Sequence, residues 1–254
     1  MIENKVLIKN LETHYKVFGQ GKPILILHGW PSSSDKWQEV AQILAKKYLV
    51  IVPDLPAFGK TQEPNLAWDT NDYIEWLREF CDNVEGLQKE FYLIGHSFGG
   101  ALAAKFTVQY NQRIIKLFLV SAATVRMSTF SKKFYYRLAK FVKIFSFLPY
   151  YTLFRKAFYK FVLRKSDYIY QKGIMKETYL KVISDDLSYK VRFITVPTII
   201  IWGNKDTSTP LTDGKFIHEK VVGSKLIVID GADHSLHIKI PELLAQKILE
   251  NLPG

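Results

Sequence analysis

The sequence predicts an α/β protein built on a mostly parallel, doubly wound sheet with one helical insertion. Three observations carry that expectation. The run Ile24-Leu25-Ile26-Leu27 and the stretches 48–52, 91–94 and 115–120 are apolar throughout but for Lys116, as expected of strands buried on both faces of a parallel sheet. Helix-length amphipathic stretches, 37–46, 71–89 and 98–110, lie between them. The alternation stops after Val120 for about 70 residues and resumes with 197–202 and 225–229. Strands that alternate with helices imply βαβ units, with function at the carboxyl ends of the strands.

Taken in order, the chain opens with strand-like segments 6–11 and 13–18, followed by the turn Gly19-Gln20-Gly21-Lys22-Pro23. The four apolar strands and their helices follow. The long gap then reads as an insertion holding two amphipathic helices, near 132–148 and 153–165, broken at Pro149. A last helix spans 241–251, where Pro241 suits a first helical turn. Residues 1–124 and 193–254 are thus expected to form the core and 125–192 a helical cap.

A chain of 254 residues with 48% hydrophobic content can bury a sizeable core. Its net charge of +11 would suggest nucleic acid, but the charge is concentrated. Between Val125 and Arg192 there are 16 Lys and Arg against 4 Asp and Glu, and 17 of the chain's 36 Phe, Tyr and Trp. Everything else is near neutral. No secretory signal is read in the first residues, and charges interrupt every candidate membrane span, so a cytoplasmic location is the default expectation. The single cysteine, Cys81, excludes an internal disulfide and reads as a helix residue near the buried side.

The residues 91–101, FYLIGHSFGGA, place G-x-S-x-G between an expected strand and an expected helix, the context that a nucleophile elbow demands. Gly95 and Gly99 leave the room that lets so sharp a turn close around Ser97. A serine hydroxyl needs a base to take its proton. Of the six histidines, His234 in Gly231-Ala232-Asp233-His234-Ser235 follows the strand at 225–229 and is best placed. His14 and His218 lie away from strand ends, His237 starts the final helical segment, and His96, next to the nucleophile, points elsewhere. Asp206, after the strand at 197–202, is the expected orienting acid, ahead of Asp213, Asp230 and Asp233. The backbone N–H groups of Phe98 and Trp30 are the expected oxyanion donors, because Pro31 has none to give.

Together these residues resemble the α/β-hydrolase superfamily, in the capped serine hydrolase branch that includes carboxylesterases. The resemblance rests on His28-Gly29-Trp30-Pro31, Asp54-Leu55-Pro56-Ala57-Phe58-Gly59, the elbow, Trp202 to Asp206, and Gly231 to His234 followed by Pro241-Glu242. It implies an α/β-hydrolase fold with an eight-stranded mostly parallel sheet, helices on both faces and a helical cap inserted after the sixth strand. It also implies hydrolysis through a covalent acyl-enzyme without metal or cofactor, with Ser97, Asp206 and His234 as the triad.

Departures from subfamily patterns narrow the chemistry. The H-G-x-P motif is similar to that of epoxide hydrolases and haloalkane dehalogenases, which use an Asp where this chain has Ser97. Meta-cleavage carbon–carbon hydrolases commonly carry Trp after the catalytic His, where Ser235 stands here, and proline iminopeptidases carry a different oxyanion loop. Ester hydrolysis of apolar or amphiphilic small molecules is the leading expectation, with a meta-cleavage-type hydrolase or a lactonase as alternatives. A hydrolase-like small-molecule receptor is the alternative from another class. The Phe and Tyr of the insert read first as its own core, with Lys and Arg on the wet face; the alternative is that the basic residues, including Lys132, Lys133, Lys140 and Lys143, make a cationic face suited to anionic membrane more than to nucleic acid.

Overall fold

The computed structural model describes residues 1–125 and 173–253. Eight strands run in the spatial order β1-β2-β4-β3-β5-β6-β7-β8. They are β1 (Ile2–Ile8), β2 (Leu11–Phe18), β3 (Pro23–Leu27), β4 (Leu49–Pro53), β5 (Phe91–His96), β6 (Ile114–Val120), β7 (Thr198–Gly203) and β8 (Lys225–Ile229). The β1–β2 and β2–β4 pairs are antiparallel, and every pair from β4 through β3 to β8 is parallel.

The period-2 alternation of strand side chains sorts the core into two layers. Leu25, Leu27, Leu93, Leu117, Leu119 and Ile200 face one side, where they pack with α2 (Thr70–Asn83), α3 (Ser97–Gln109) and α5 (Leu211–Lys220). Ile24, Ile26, Ile94, Phe118, Val120 and Ile201 face the other, against α1 (Gln38–Leu44) and α7 (Pro241–Leu249). Both faces of the central strands are therefore apolar, which is why their sequences show no alternation. Asp69 caps α2: its carboxylate accepts the Asn71 and Asp72 N–H groups, while Asp72 accepts from Asp69 in return.

Two boundaries differ from the sequence expectation. The first strand starts at Ile2 and ends at Ile8, not at 6–11, because Lys9 and Asn10 both take positive φ and close a two-residue hairpin. The apolar run Val6-Leu7-Ile8 followed by Leu11 disguised that turn. The helix expected at 71–89 ends at Asn83, and the one expected at 37–46 is split into a 3₁₀ turn (Ser34–Trp37) and α1.

The chain leaves the sheet after β6 and returns at β7, as expected of the insertion. The expected helices at 132–148 and 153–165 lie outside the described residues. Within the expected cap, α4 (Gly173–Ser184) is described, and it is fastened to the core. The Trp68 N–H donates to the Thr178 hydroxyl at 3.1 Å and Lys181 Nζ donates to the Ala67 carbonyl at 2.7 Å. Just beyond its end, Asp185 forms an ion pair of 2.9 Å with Lys105, a buried residue of α3, and both touch the Thr70 hydroxyl at the start of α2. Three elements around the elbow therefore meet at one buried ammonium.

Removing one half of a buried ion pair typically costs far more than the pair's net worth. Lys105→Met should accordingly lower the unfolding free energy by about 3 kcal/mol in a urea titration. A loss below about 1 kcal/mol would equate the contact with an ordinary surface pair and refute the anchoring role.

Candidate active site

Ser97 stands at the junction of β5 and α3 with a φ of 52°. That left-handed conformation costs a non-glycine residue roughly 1–3 kcal/mol, so the surrounding packing must impose it. Crossing elements approach too closely for side chains at two positions. A Cβ on Gly99 would lie 2.3 Å from the Leu27 carbonyl, and one on Gly95 would lie 2.5 Å from the Gly99 carbonyl. The glycines at both ends of G-x-S-x-G are thus required by contact.

The loop after β3 lies directly on the elbow, since a Cβ on Gly29 would fall 3.1 Å from that of Ser97. His28 fixes this loop from beneath. Its Nδ1 is 2.8 Å from the Gly29 carbonyl and so carries the proton, while Nε2 accepts the Leu55 N–H at 2.9 Å. Burial holds the His28 imidazolium form down, which keeps this tautomer neutral. In the loop after β4, the Asp54 carboxylate accepts the Ser34 N–H at 2.6 Å and the Lys60 N–H at 2.9 Å. Phe98 N–H belongs to the first turn of α3, whose amides have no carbonyl partner within the helix.

The loops after β7 and β8 bring Asp206 and His234 together. His234 Nδ1 lies 2.8 Å from Asp206 Oδ2. The other carboxylate oxygen accepts the Ser208 and Thr209 N–H groups at 2.8 and 2.9 Å, so every lone pair that matters is engaged. Burial alone would raise this carboxyl, but the His234 hydrogen bond and charge and the Thr209 amide outweigh it and hold it below the usual carboxylate range. The Thr209 hydroxyl sits at the centre, 3.0 Å from Asp206 Oδ2, 3.1 Å from the Ser121 carbonyl and 3.2 Å from His234 Nδ1.

The rival acids are engaged elsewhere. Asp230 meets Asn204, and Asp233 accepts the Ser235 N–H at 3.0 Å and pairs with Lys239. Asp213, in α5, is pushed up to about 6 by burial and by the nearby Asp206 charge. His237 lies in a short helix, α6 (Leu236–Lys239), stacked on Trp37 with ring centroids 4.7 Å apart. Burial pushes it down to about 3. His96 was expected to point away from the chemistry. Instead its ring is 4.8 Å from that of His234, and its Nε2 is 2.9 Å from the His234 carbonyl.

Aromatic rings cluster around Trp30, in the loop that lies on the elbow. Trp30 lies 4.7 Å from Phe58, 5.5 Å from Phe98 and 5.5 Å from Tyr179 of α4. The sequence points to Trp30 and Phe98 for their amides and to His28 as part of a motif, but not to the tie that His28 makes between loops, nor to Thr209 and Tyr179. Thr209 carries a legible signal, because Asp-x-x-Thr is a local pattern in which the carboxylate accepts amides two and three residues on. Tyr179 carries none, since its contact joins residues far apart in the chain. Among the described residues, no group of three or more His, Cys, Asp or Glu is placed to hold a metal ion. Among the same residues no helix is long and apolar enough to cross a membrane.

Comparison with known proteins gives a consistent picture. A family model described as alpha/beta hydrolase fold matches residues 22–241. A soluble epoxide hydrolase of Corynebacterium sp. is 32% identical over 117 residues, a match that spans 46% of this chain and only 40% of that protein. A pimeloyl-[acyl-carrier protein] methyl ester esterase of Legionella pneumophila is 25% identical, with 88% of this chain and 92% of the relative covered. Among solved structures, an esterase from Exiguobacterium antarcticum superposes with a TM-score of 0.77 at 19% identity, covering 98% of each chain.

The raised Asp213 carboxyl has a measurable consequence for stability. Its folded pKa of about 6 lies above the ordinary 3.8, so the folded state holds the proton more tightly than the unfolded state. The ionised group therefore destabilises the fold above pH 6, and the penalty fades as pH falls from 6 towards 3.8. Asp213→Asn should raise Tm at pH 8 and give no gain at pH 4. An equal gain at both pH values would disprove the electrostatic origin.

Proposed function

Because the chain belongs to the α/β hydrolase fold family, we propose that it is a serine hydrolase that cleaves carboxylic esters through an acyl-enzyme. The observation that carries this reading is the 2.8 Å contact of His234 Nδ1 with Asp206 Oδ2, with the His234 ring 4.8 Å from that of His96, the residue that precedes a serine held at a φ of 52°. In the proposed reaction Ser97 Oγ attacks the ester carbonyl and its proton passes to His234 Nε2. Asp206 keeps the Nδ1–H tautomer and stabilises the imidazolium. The Trp30 and Phe98 N–H groups receive the negative charge that develops on the carbonyl oxygen. His234 then protonates the departing alkoxide, and water attacks the acyl-enzyme by the same path in reverse roles, releasing the acid and restoring Ser97.

The aromatic cluster of Trp30, Phe58, Phe98 and Tyr179 favours an apolar or amphiphilic small-molecule ester. The Legionella relative, named a methyl ester esterase, is compatible with ester chemistry. The Corynebacterium relative is named an epoxide hydrolase, but an Asp nucleophile is the expected requirement for that chemistry, and Ser97 stands at the elbow here.

Ser97→Ala and His234→Ala should each lower turnover of p-nitrophenyl acetate by about 10³-fold or more, and Asp206→Asn by a comparable factor, with the fold intact. A fluorophosphonate should label Ser97 alone and abolish activity without any dependence on chelators. Near-wild-type turnover by Ser97→Ala would falsify the mechanism. A stoichiometric burst with no steady turnover would favour the receptor reading instead.

The basic segment between Val125 and Arg192 extends the proposal to peripheral contact with anionic membrane, at roughly 1 kcal/mol per Lys or Arg near the lipid. Co-sedimentation with vesicles should increase with their phosphatidylglycerol content and fall with salt. Replacing Lys132, Lys133, Lys140 and Lys143 by Glu should remove that dependence. Indifference to anionic vesicles at low salt would reduce the segment's charge to a solubilising role.

A further inference from the structure

His96 is the last residue of β5, immediately before the serine, and is buried at 4% exposure. Its ring turns into the loop after β8, where Nε2 lies 2.9 Å from the His234 carbonyl. A carbonyl can only accept, so Nε2 carries the proton and Nδ1 the lone pair. Nδ1 is buried, with no hydrogen-bond partner among the described residues, so the ring's one polar attachment there is to the backbone of His234. The ring is packed by three others: His234 at 4.8 Å, His237 at 4.4 Å and Trp37 at 6.0 Å.

The other contacts of the His234 loop run to a different neighbour. The Lys205 N–H donates to the Ala232 carbonyl at 2.9 Å, and the Gly231 N–H donates to the Asn204 side chain at 2.8 Å. These bonds tie the His234 loop to the Asp206 loop. Neither reaches the elbow. Among the described residues, the hydrogen bond from His96 joins the backbone bearing His234 to the turn bearing Ser97.

We propose that His96 is a positioning residue, whose Nε2–H clamps the His234 carbonyl and so sets the reach of the His234 imidazole to Ser97. The inference rests on the reading of Ser97, His234 and Asp206 as the reacting set. A hydroxyl and its base must stand within hydrogen-bond reach, and a displacement near 1 Å at a distance from the chemistry can cost about 10²-fold in rate. Burial, with the neighbouring imidazoles, holds the His96 pKa well below its ordinary value and keeps the ring a neutral donor at working pH.

The test begins with fluorophosphonate labelling of the wild-type chain, because an unlabelled protein overturns the hydrolase reading and the clamp together. With labelling established, His96→Leu should lower kcat for p-nitrophenyl acetate by about tenfold or more while KM changes less than about twofold. His96→Gln, whose amide nitrogen reaches as far as Nε2, should recover kcat to within about threefold of wild type. A Leu variant as fast as wild type, or a Gln variant as slow as Leu, overturns the clamp alone. Long-range ¹H–¹⁵N spectra of the histidine-labelled wild type need no variant: His96 should show the neutral Nε2–H form from about pH 6 to 9. An Nδ1–H or charged His96 ring overturns the proposal.

Discussion

The close crossing of α3 over the end of β3 is the constraint from which the rest of the site follows. Gly99 meets the Leu27 and His28 carbonyls where any Cβ would collide, so the helix sits as near to the sheet as backbones can come. That proximity forces the chain to reverse within one residue, and Ser97 takes the left-handed conformation as a result. The same crossing presses Gly29 against Ser97 and aligns the loop that carries Trp30 beside the first turn of α3. The proposed nucleophile and oxyanion donors are therefore set by one packing contact, with little freedom to move independently.

A parallel sheet delivers the remaining groups without any special arrangement. The loops after β3, β4, β5, β7 and β8 all emerge at the same edge, so residues separated by more than 200 positions become neighbours. The polar ties between these loops then fix angles that the sheet alone leaves loose. His28 joins the β3 and β4 loops, Thr209 joins the β6, β7 and β8 loops, and His96 joins β5 to the β8 loop. Each tie uses a group whose other hydrogen-bonding options are closed by burial, which is what makes it specific.

Much of this was legible in the sequence because parallel strands buried on both faces leave a distinctive mark. Ile24 to Leu27 and the residues around Ser97 announce strand, turn and helix by composition and glycine placement alone. Asp206 and His234 could be found because each follows a buried strand in a short loop. The first hairpin departs from the expectation at Lys9-Asn10, where Asn10 suits a positive φ but Lys9 beside it does not signal one. The expectation that a neighbour of the proposed nucleophile points away from the chemistry fails at His96. The ring does leave the nucleophile's position, but it enters the loop of the proposed base, a contact across 138 positions that no local pattern encodes.

The histidines also distribute charge in a way that serves the proposed chemistry. Four of the chain's six imidazoles, those of His28, His96, His234 and His237, gather around the elbow. In three of them burial acts first to disfavour the charged form, strongly so in His96 and down to about 3 in His237. Only His234 has a carboxylate at Nδ1, and that carboxylate is itself kept ionised by the amides and imidazole around it. In the proposed reaction a proton leaving Ser97 goes to the ring whose charged form a carboxylate supports. Charge on any of the other three would oppose an imidazolium at His234, so their neutrality lowers the energy of the ion pair that forms during attack. The apolar packing of Trp37 on His237 thus contributes to the proposed chemistry without touching a substrate, through the electrostatic environment it leaves to His234.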